Sequence, residues 1–256
     1  MPIEVISVDG LSFQYNAVDV LTDISFDLGE GGYIGLVGPN GSGKTTLIKL
    51  LLGFIQPAKG AVRLFGADPA GFRDWHKIGY LPQKIVSFNP NFPATVKEIV
   101  ALGLLSRKKF SKMPGKSDEP ALSHAMELMD ITNIKNKLIG ELSGGQQQRA
   151  LIAKAIVSEP ELLILDEPTT AIDPETREKF FSILKELNEQ KRVTIIIITH
   201  DTGTIGKYAS KLLYLDKKVI FYGSFESFCT SGEMSDYFGE YSQHLICHRH
   251  DALNRR

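Results

Sequence analysis

Apolar and polar positions along the chain change period several times, and each change marks a different kind of element. Residues 3–8, 11–15 and 24–28 are short β-rich runs separated by Asp-Gly and Asn/Asp turn signals, which predicts strands of an antiparallel layer. Residues 33–37 form a continuous apolar run, read as a buried strand. Residues 45–52 then place Leu47, Ile48, Leu50 and Leu51 at the spacing of a helix face. A helix stop and turn over 53–60 leads to a strand at 61–65, and a short strand at 78–81 ends in Pro82-Gln83.

Helical periodicity takes over between 84 and 160, at 95–102, 119–131 and 143–157. Two further apolar runs, 162–165 and 193–199, have no polar alternation, as strands buried on both faces of a parallel sheet require. Between them a helix is expected over 174–190, with Pro174 at its start. Residues 212–215 and 219–222 flank Asp216-Lys217-Lys218 and predict a hairpin. The fold class expected is α/β: a parallel-sheet core, an N-terminal antiparallel β-subdomain and an inserted α-helical subdomain at about 86–158.

Composition narrows this only a little. The 256 residues can bury a large core, and 43% hydrophobic with 23% charged content is globular. A net charge of -1 gives no overall basic footprint for nucleic acid. The basic stretch 107–116 lacks interleaved aromatics and reads as a surface loop. Cys229 and Cys247 are too few and too late for a disulfide framework, which points to a reducing compartment. No apolar run reaches membrane-spanning length and no signal-peptide core is expected at the N-terminus, so work at a membrane would need another chain to cross it.

The chemistry concentrates at strand ends. Gly38, Pro39, Asn40, Gly41, Ser42, Gly43, Lys44, Thr45 and Thr46 fit the pattern G-x-x-x-x-G-K-[ST] between a strand and a helix. Glycines let successive N–H groups converge on a phosphate chain, the lysine adds charge for the β/γ oxygens, and the Thr45 hydroxyl can ligate Mg²⁺. The core expected is therefore that of a P-loop NTPase. The run 162–165 delivers Asp166 and Glu167 at its end. Asp166 suits Mg²⁺ through water, and Glu167 can activate or orient an attacking water. Ser143, an N-cap residue, precedes Gly144 and Gly145, so the helix they open has an approachable first turn, a second anion site. Gln83 on its loop suits a metal ligand or water positioner; Tyr15 can stack on a flat base or be a strand aromatic; His200 can meet a γ-phosphate oxygen or be structural.

Taken together, over about residues 3–238, these motifs resemble the ATP-binding cassette ATPases, the nucleotide-binding subunits of ABC transporters. Gly38 to Thr46 matches Walker A, 162–167 matches Walker B with its catalytic glutamate, and 142–146 reads LSGGQ, the family signature. Gln83 falls at the Q-loop, Asp173 at the D-loop, His200 at the switch histidine, and Tyr15 at the aromatic loop that stacks on adenine. Ile172 departs slightly, where many members have Leu or Val.

The resemblance implies ATP and Mg²⁺ as cofactors and an ATP-sandwich dimer with a second copy. Ser143, Gly144 and Gly145 of one copy would cap the γ-phosphate in the other. It further implies integral membrane permease subunits, an indirect substrate-binding protein, and a place on the cytoplasmic face of the cell membrane. Within the family, residues 92–100 and the tail look like the zinc or manganese importer branch. The tail, 239–256, carries His244, Cys247, His248 and His250, which either bind a metal such as Zn²⁺ or form a polar tail without that role. Other readings are an importer ATPase for an iron complex or cobalamin-like cargo, and a soluble non-transport ABC ATPase.

Overall fold

The computed structural model describes residues 4–83, 89, 92–108, 115–169, 173–199 and 202–238. The chain divides into two compact units, residues 1–72 with 194–256 and residues 73–193.

The first unit opens with β1 (Glu4–Tyr15) and β2 (Val18–Gly29), an antiparallel pair closed at Asn16-Ala17. Both turn residues have positive φ, 47° and 63°, as the two-residue turns that match strand twist require. The two predicted strands 3–8 and 11–15 are one bulged strand, because Gly10 absorbs the irregularity at φ 57° instead of ending it. β3 (Tyr33–Val37) is buried throughout and leads to α1 (Lys44–Leu51). β4 (Lys59–Leu64) returns to the far side of β1, giving an antiparallel order β2-β1-β4.

The second unit begins with β5 (Ile78–Leu81) and continues into helices α2 (Val96–Ala101), α3 (Glu119–Leu128) and α4 (Gly144–Ile156). Thr95 and Glu98 form a reciprocal capping box that starts α2 one residue later than the periodicity suggested. β6 (Leu162–Asp166) lies parallel to β5 in the register Leu81↔Leu165, and α5 (Pro174–Lys191) follows. Helices α2 and α3 pack on α4, and α4 packs on β5. That last approach depends on Gly79, where a Cβ would stand 2.2 Å from the Ala155 carbonyl oxygen.

The chain then re-enters the first unit as β7 (Thr194–Ile198), α6 (Thr202–Ile205), β8 (Lys211–Asp216) and β9 (Lys218–Ser224). β3 is flanked by β7 and β8, both parallel to it, and β9 pairs antiparallel with β8. Ile34, Leu36, Ile195, Ile197 and Leu212 are buried in this layer, each contributing about 1.5–3 kcal/mol of transfer free energy. Two short helices, α7 (Phe225–Thr230) and α8 (Gly232–Phe238), were not expected from periodicity. Among the described residues, no helix is long and apolar enough to cross a membrane.

Candidate functional site

In the first unit, β3 ends at Val37 and the loop 38–43 turns straight into α1. Gly38 has φ 151°, and a Cβ there would sit 2.0 Å from the Leu215 carbonyl oxygen. Gly43 has φ 99°, with Leu21 Cδ2 2.5 Å from its would-be Cβ. Glycine is thus required at both ends of the loop by backbone conformation and by space. Gly41, φ 81°, meets nothing within 4 Å, so the middle of the loop faces open space. No side chain caps α1, and a helix start without a side-chain cap suits an incoming anion.

The ammonium of Lys44 donates to the carbonyls of Gly38 and Pro39, both at 2.8 Å. It therefore straps the loop that it follows. Lys217 N donates to the Ser42 carbonyl at 3.0 Å, bracing the loop from the β8–β9 turn. Ser42 Oγ is buried without a hydrogen-bond partner. Tyr15 lies at the β1–β2 turn, 45% exposed, edge-on to Phe13 at 4.7 Å between centroids. Its ring is accessible to a ligand.

In the second unit, all five residues of β6 are buried, and Asp166 is only 1% exposed. Its charge, after burial, helps push the Tyr80 hydroxyl above its ordinary pKa. Glu167 follows with φ 53°, a left-handed conformation unusual for a glutamate. Gln83, just beyond β5, is exposed. Asp173 caps α5, accepting from Thr176 N at 3.0 Å, and this bond holds its carboxyl below the usual carboxylate range.

Ser143 caps α4 reciprocally: Gln146 N donates to Ser143 Oγ at 3.4 Å, and Ser143 N donates to Gln146 Oε1 at 3.1 Å. The hydroxyl accepts here, so its own hydrogen can still be given to another group. Ser143 and Gly144 are exposed, with Gly144 and Gly145 in the first turn. A second helix start is thus open to an anion.

A family model described as ABC transporter matches residues 21–170. This chain belongs to the ABC transporter family. The zinc uptake system ATP-binding protein ZurA of Listeria innocua is 44% identical over 221 residues, 86% of each chain. The manganese transport system ATP-binding protein MntB of Halalkalibacterium halodurans is 36% identical over 219 residues, again 86% of each. Among solved structures, a dimeric ATP-binding cassette in a post-hydrolysis state with ADP and Pi superposes with TM-score 0.74 at 25% identity, covering 86% of this chain and 98% of that one.

As in its ABC relatives' solved folds, the architecture is that of a P-loop NTPase. The first unit brings together Gly38 to Thr46 and carries Tyr15; the second carries Gln83, Ser143, Gly144, Gly145, Asp166, Glu167 and Asp173. His200 and the tail residues His244, Cys247, His248 and His250 lie outside the described residues. Among the described residues, no group of three or more His, Cys, Asp or Glu could hold a metal ion.

The sequence reading missed Gln147 and Gln148. Gln147 Nε2 donates to the carbonyls of Ile139 and Leu142, at 3.1 and 3.2 Å. Gln148 Nε2 donates to the Pro168 carbonyl. Both side chains are buried, and a buried amide must find partners. Their signal was polar residues on the inward face of a helix.

Proposed function

We propose that this chain is the ATP-hydrolysing subunit of an importer for zinc or manganese. Residues 3–238 would form the ATPase domain, with a helical subdomain at about 86–158, and 239–256 a tail. Two phosphate-ready helix starts in one chain, α1 and α4, are the observation that carries the chemistry. One chain needs only one of them for its own nucleotide. The second suits the nucleotide of another copy, which the dimeric cassette relative supports.

In this reading the Gly38–Thr46 loop amides and Lys44 hold the β- and γ-phosphates, and Tyr15 stacks on adenine. Glu167 takes a proton from the water that attacks the γ-phosphoryl group in line. His200 steadies that group, while Asp173 keeps the start of α5 in place. Ser143 and the Gly144 and Gly145 amides cover the γ-phosphate of the partner copy. Thr45, Gln83 and Asp166 each carry an oxygen donor, the kind of ligand Mg²⁺ takes. By donor chemistry each of the three suits Mg²⁺, which would supply charge neutralisation at the phosphates.

The cargo follows from the zinc and manganese relatives, at 36–44% identity over 86% of the chain. Cargo would cross through integral permease subunits fed by a substrate-binding protein, with this chain on the cytoplasmic face. Cells lacking the chain should fail to accumulate zinc or manganese when supply is limiting. Wild-type protein should restore uptake, and Lys44→Ala should not. Unchanged accumulation of both metals in the deletion would overturn the cargo.

A further inference from the structure

We propose that Gln148 is a positioning residue for Glu167, holding the turn that aims the carboxylate. The proposal rests on Glu167 acting as the base. A left-handed glutamate costs about 1–2 kcal/mol relative to ordinary backbone and persists only where its surroundings enforce it. Glu167 adopts φ 53° directly after β6. The next residue, Pro168, has no N–H, so this turn lacks one of the anchors a backbone usually has. Its carbonyl supplies an anchor instead: Pro168 is buried, and its oxygen accepts from the side-chain amide of Gln148.

Gln148 is 1% exposed. A buried amide without its partner loses about 1–3 kcal/mol, so both groups are held to this contact. The donor also comes from a fixed platform. At Gly79 the backbone of α4 presses on β5, and at Gly103 a Cβ would stand 2.1 Å from the Lys154 carbonyl oxygen. β5 is in turn locked to β6 by the register Leu81↔Leu165. The reach of Gln148 from α4 to the end of β6 is therefore set by packed backbone on both sides. The same helix opens with the Ser143 cap, five positions earlier, so one rigid element carries both the second anion site and the strap behind Glu167.

The test uses the purified full-length chain. Gln148→Met is close in length and has no donor; Gln148→Glu keeps the shape and has a carboxylate in place of the amide. Both are measured for kcat, for KM and for affinity for a fluorescent ATP analogue, alone and combined with Glu167→Gln. Misplacing a reacting group by an ångström costs up to about a hundredfold in rate. We expect kcat to fall tenfold or more (about 10–100-fold) with KM and analogue affinity unchanged. In the Glu167→Gln background, either Gln148 change should lower the residual rate no further, because the group it positions is gone. If one variant does not fold, the other carries the measurement. Unchanged kcat in a folded variant, or a further loss that multiplies with that of Glu167→Gln, overturns the proposal. If Glu167→Gln alone hydrolyses ATP at the wild-type rate, the assignment of Glu167 fails first, and the role of Gln148 fails with it.

Discussion

Lys44 donates its ammonium to the carbonyl of Gly38, six residues earlier, at 2.8 Å. The residue that brings positive charge to the loop also ties the loop's two ends together. Its second bond goes to the Pro39 carbonyl, also at 2.8 Å. Removing the side chain removes that clamp and, in the proposed site, a phosphate ligand as well. Lys44→Ala should weaken ATP binding by about 1.5–3 kcal/mol, the worth of a charged hydrogen bond. Titration with a fluorescent ATP analogue would measure this as roughly a tenfold or greater rise in Kd, and an unchanged Kd would remove Lys44 from the phosphate site.

Glu167→Gln keeps the size of the side chain but loses its basicity. We expect kcat to fall by about 10²–10⁴, the usual contribution of a general base, while ATP affinity is retained. With binding intact and turnover lost, two copies should remain closed on ATP. Size-exclusion chromatography with and without Mg·ATP would show a dimer that the wild type does not accumulate.

Ser143 has two jobs in this reading, and they can be separated. Ser143→Asp retains a good N-cap, so α4 should stay as stable as in the wild type. It also sets a negative charge where a partner's γ-phosphate would arrive. Thermal unfolding should therefore be unchanged while ATPase activity and ATP-driven dimerisation are lost. Ser143→Ala, by contrast, should cost about 1 kcal/mol of stability through the lost cap. Wild-type activity in Ser143→Asp would show that the cap is the residue's only role.

Acid should destabilise the protein through its capping carboxylates. Asp173 is held below the usual carboxylate range by the Thr176 N–H, Asp118 by the Gly115 N–H and then Lys108, and Glu98 by the N–H and hydroxyl of Thr95. Each folded-state pKa is depressed, so the unfolded chain binds more protons as the pH drops. Their stabilisation is complete above the unfolded pKa of about 4 and is lost as pH falls through the lower, folded values. Urea midpoints measured downward from neutral pH should be flat and then decline below about pH 4. Asp173→Asn, an equally good cap that does not titrate, should flatten part of that decline.

Much of the frame was legible because its signals are local. The apolar runs at 162–165 and 193–199 need no context to read as buried strands, and they became β6 and β7. Ser143 reads as an N-cap from residue type alone, and it caps α4. Asp9-Gly10 misled for the same reason. Locally it is a turn, yet β1 is paired on both sides, by β2 and β4, and that pairing carries the strand through as a bulge. The predicted helix over 119–131 stops at Leu128, and Asp130 soon takes φ 52°. A left-handed residue there ends a periodicity that the sequence alone would continue.

By itself the sequence determined the phosphate loop, the acidic pair at a strand end, the signature helix start and the α/β class, since each depends on residue type and spacing along the chain. Tertiary structure decided why those residue types are needed and what supports them. Gly38 is required by the Leu215 carbonyl, which stands 2.0 Å from a would-be Cβ and comes from 177 residues further along. Gln148 reads as one of three glutamines in a row until the fold brings Pro168 against it. Steric exclusion and buried hydrogen bonds depend on distance in space, and a linear pattern does not carry distance.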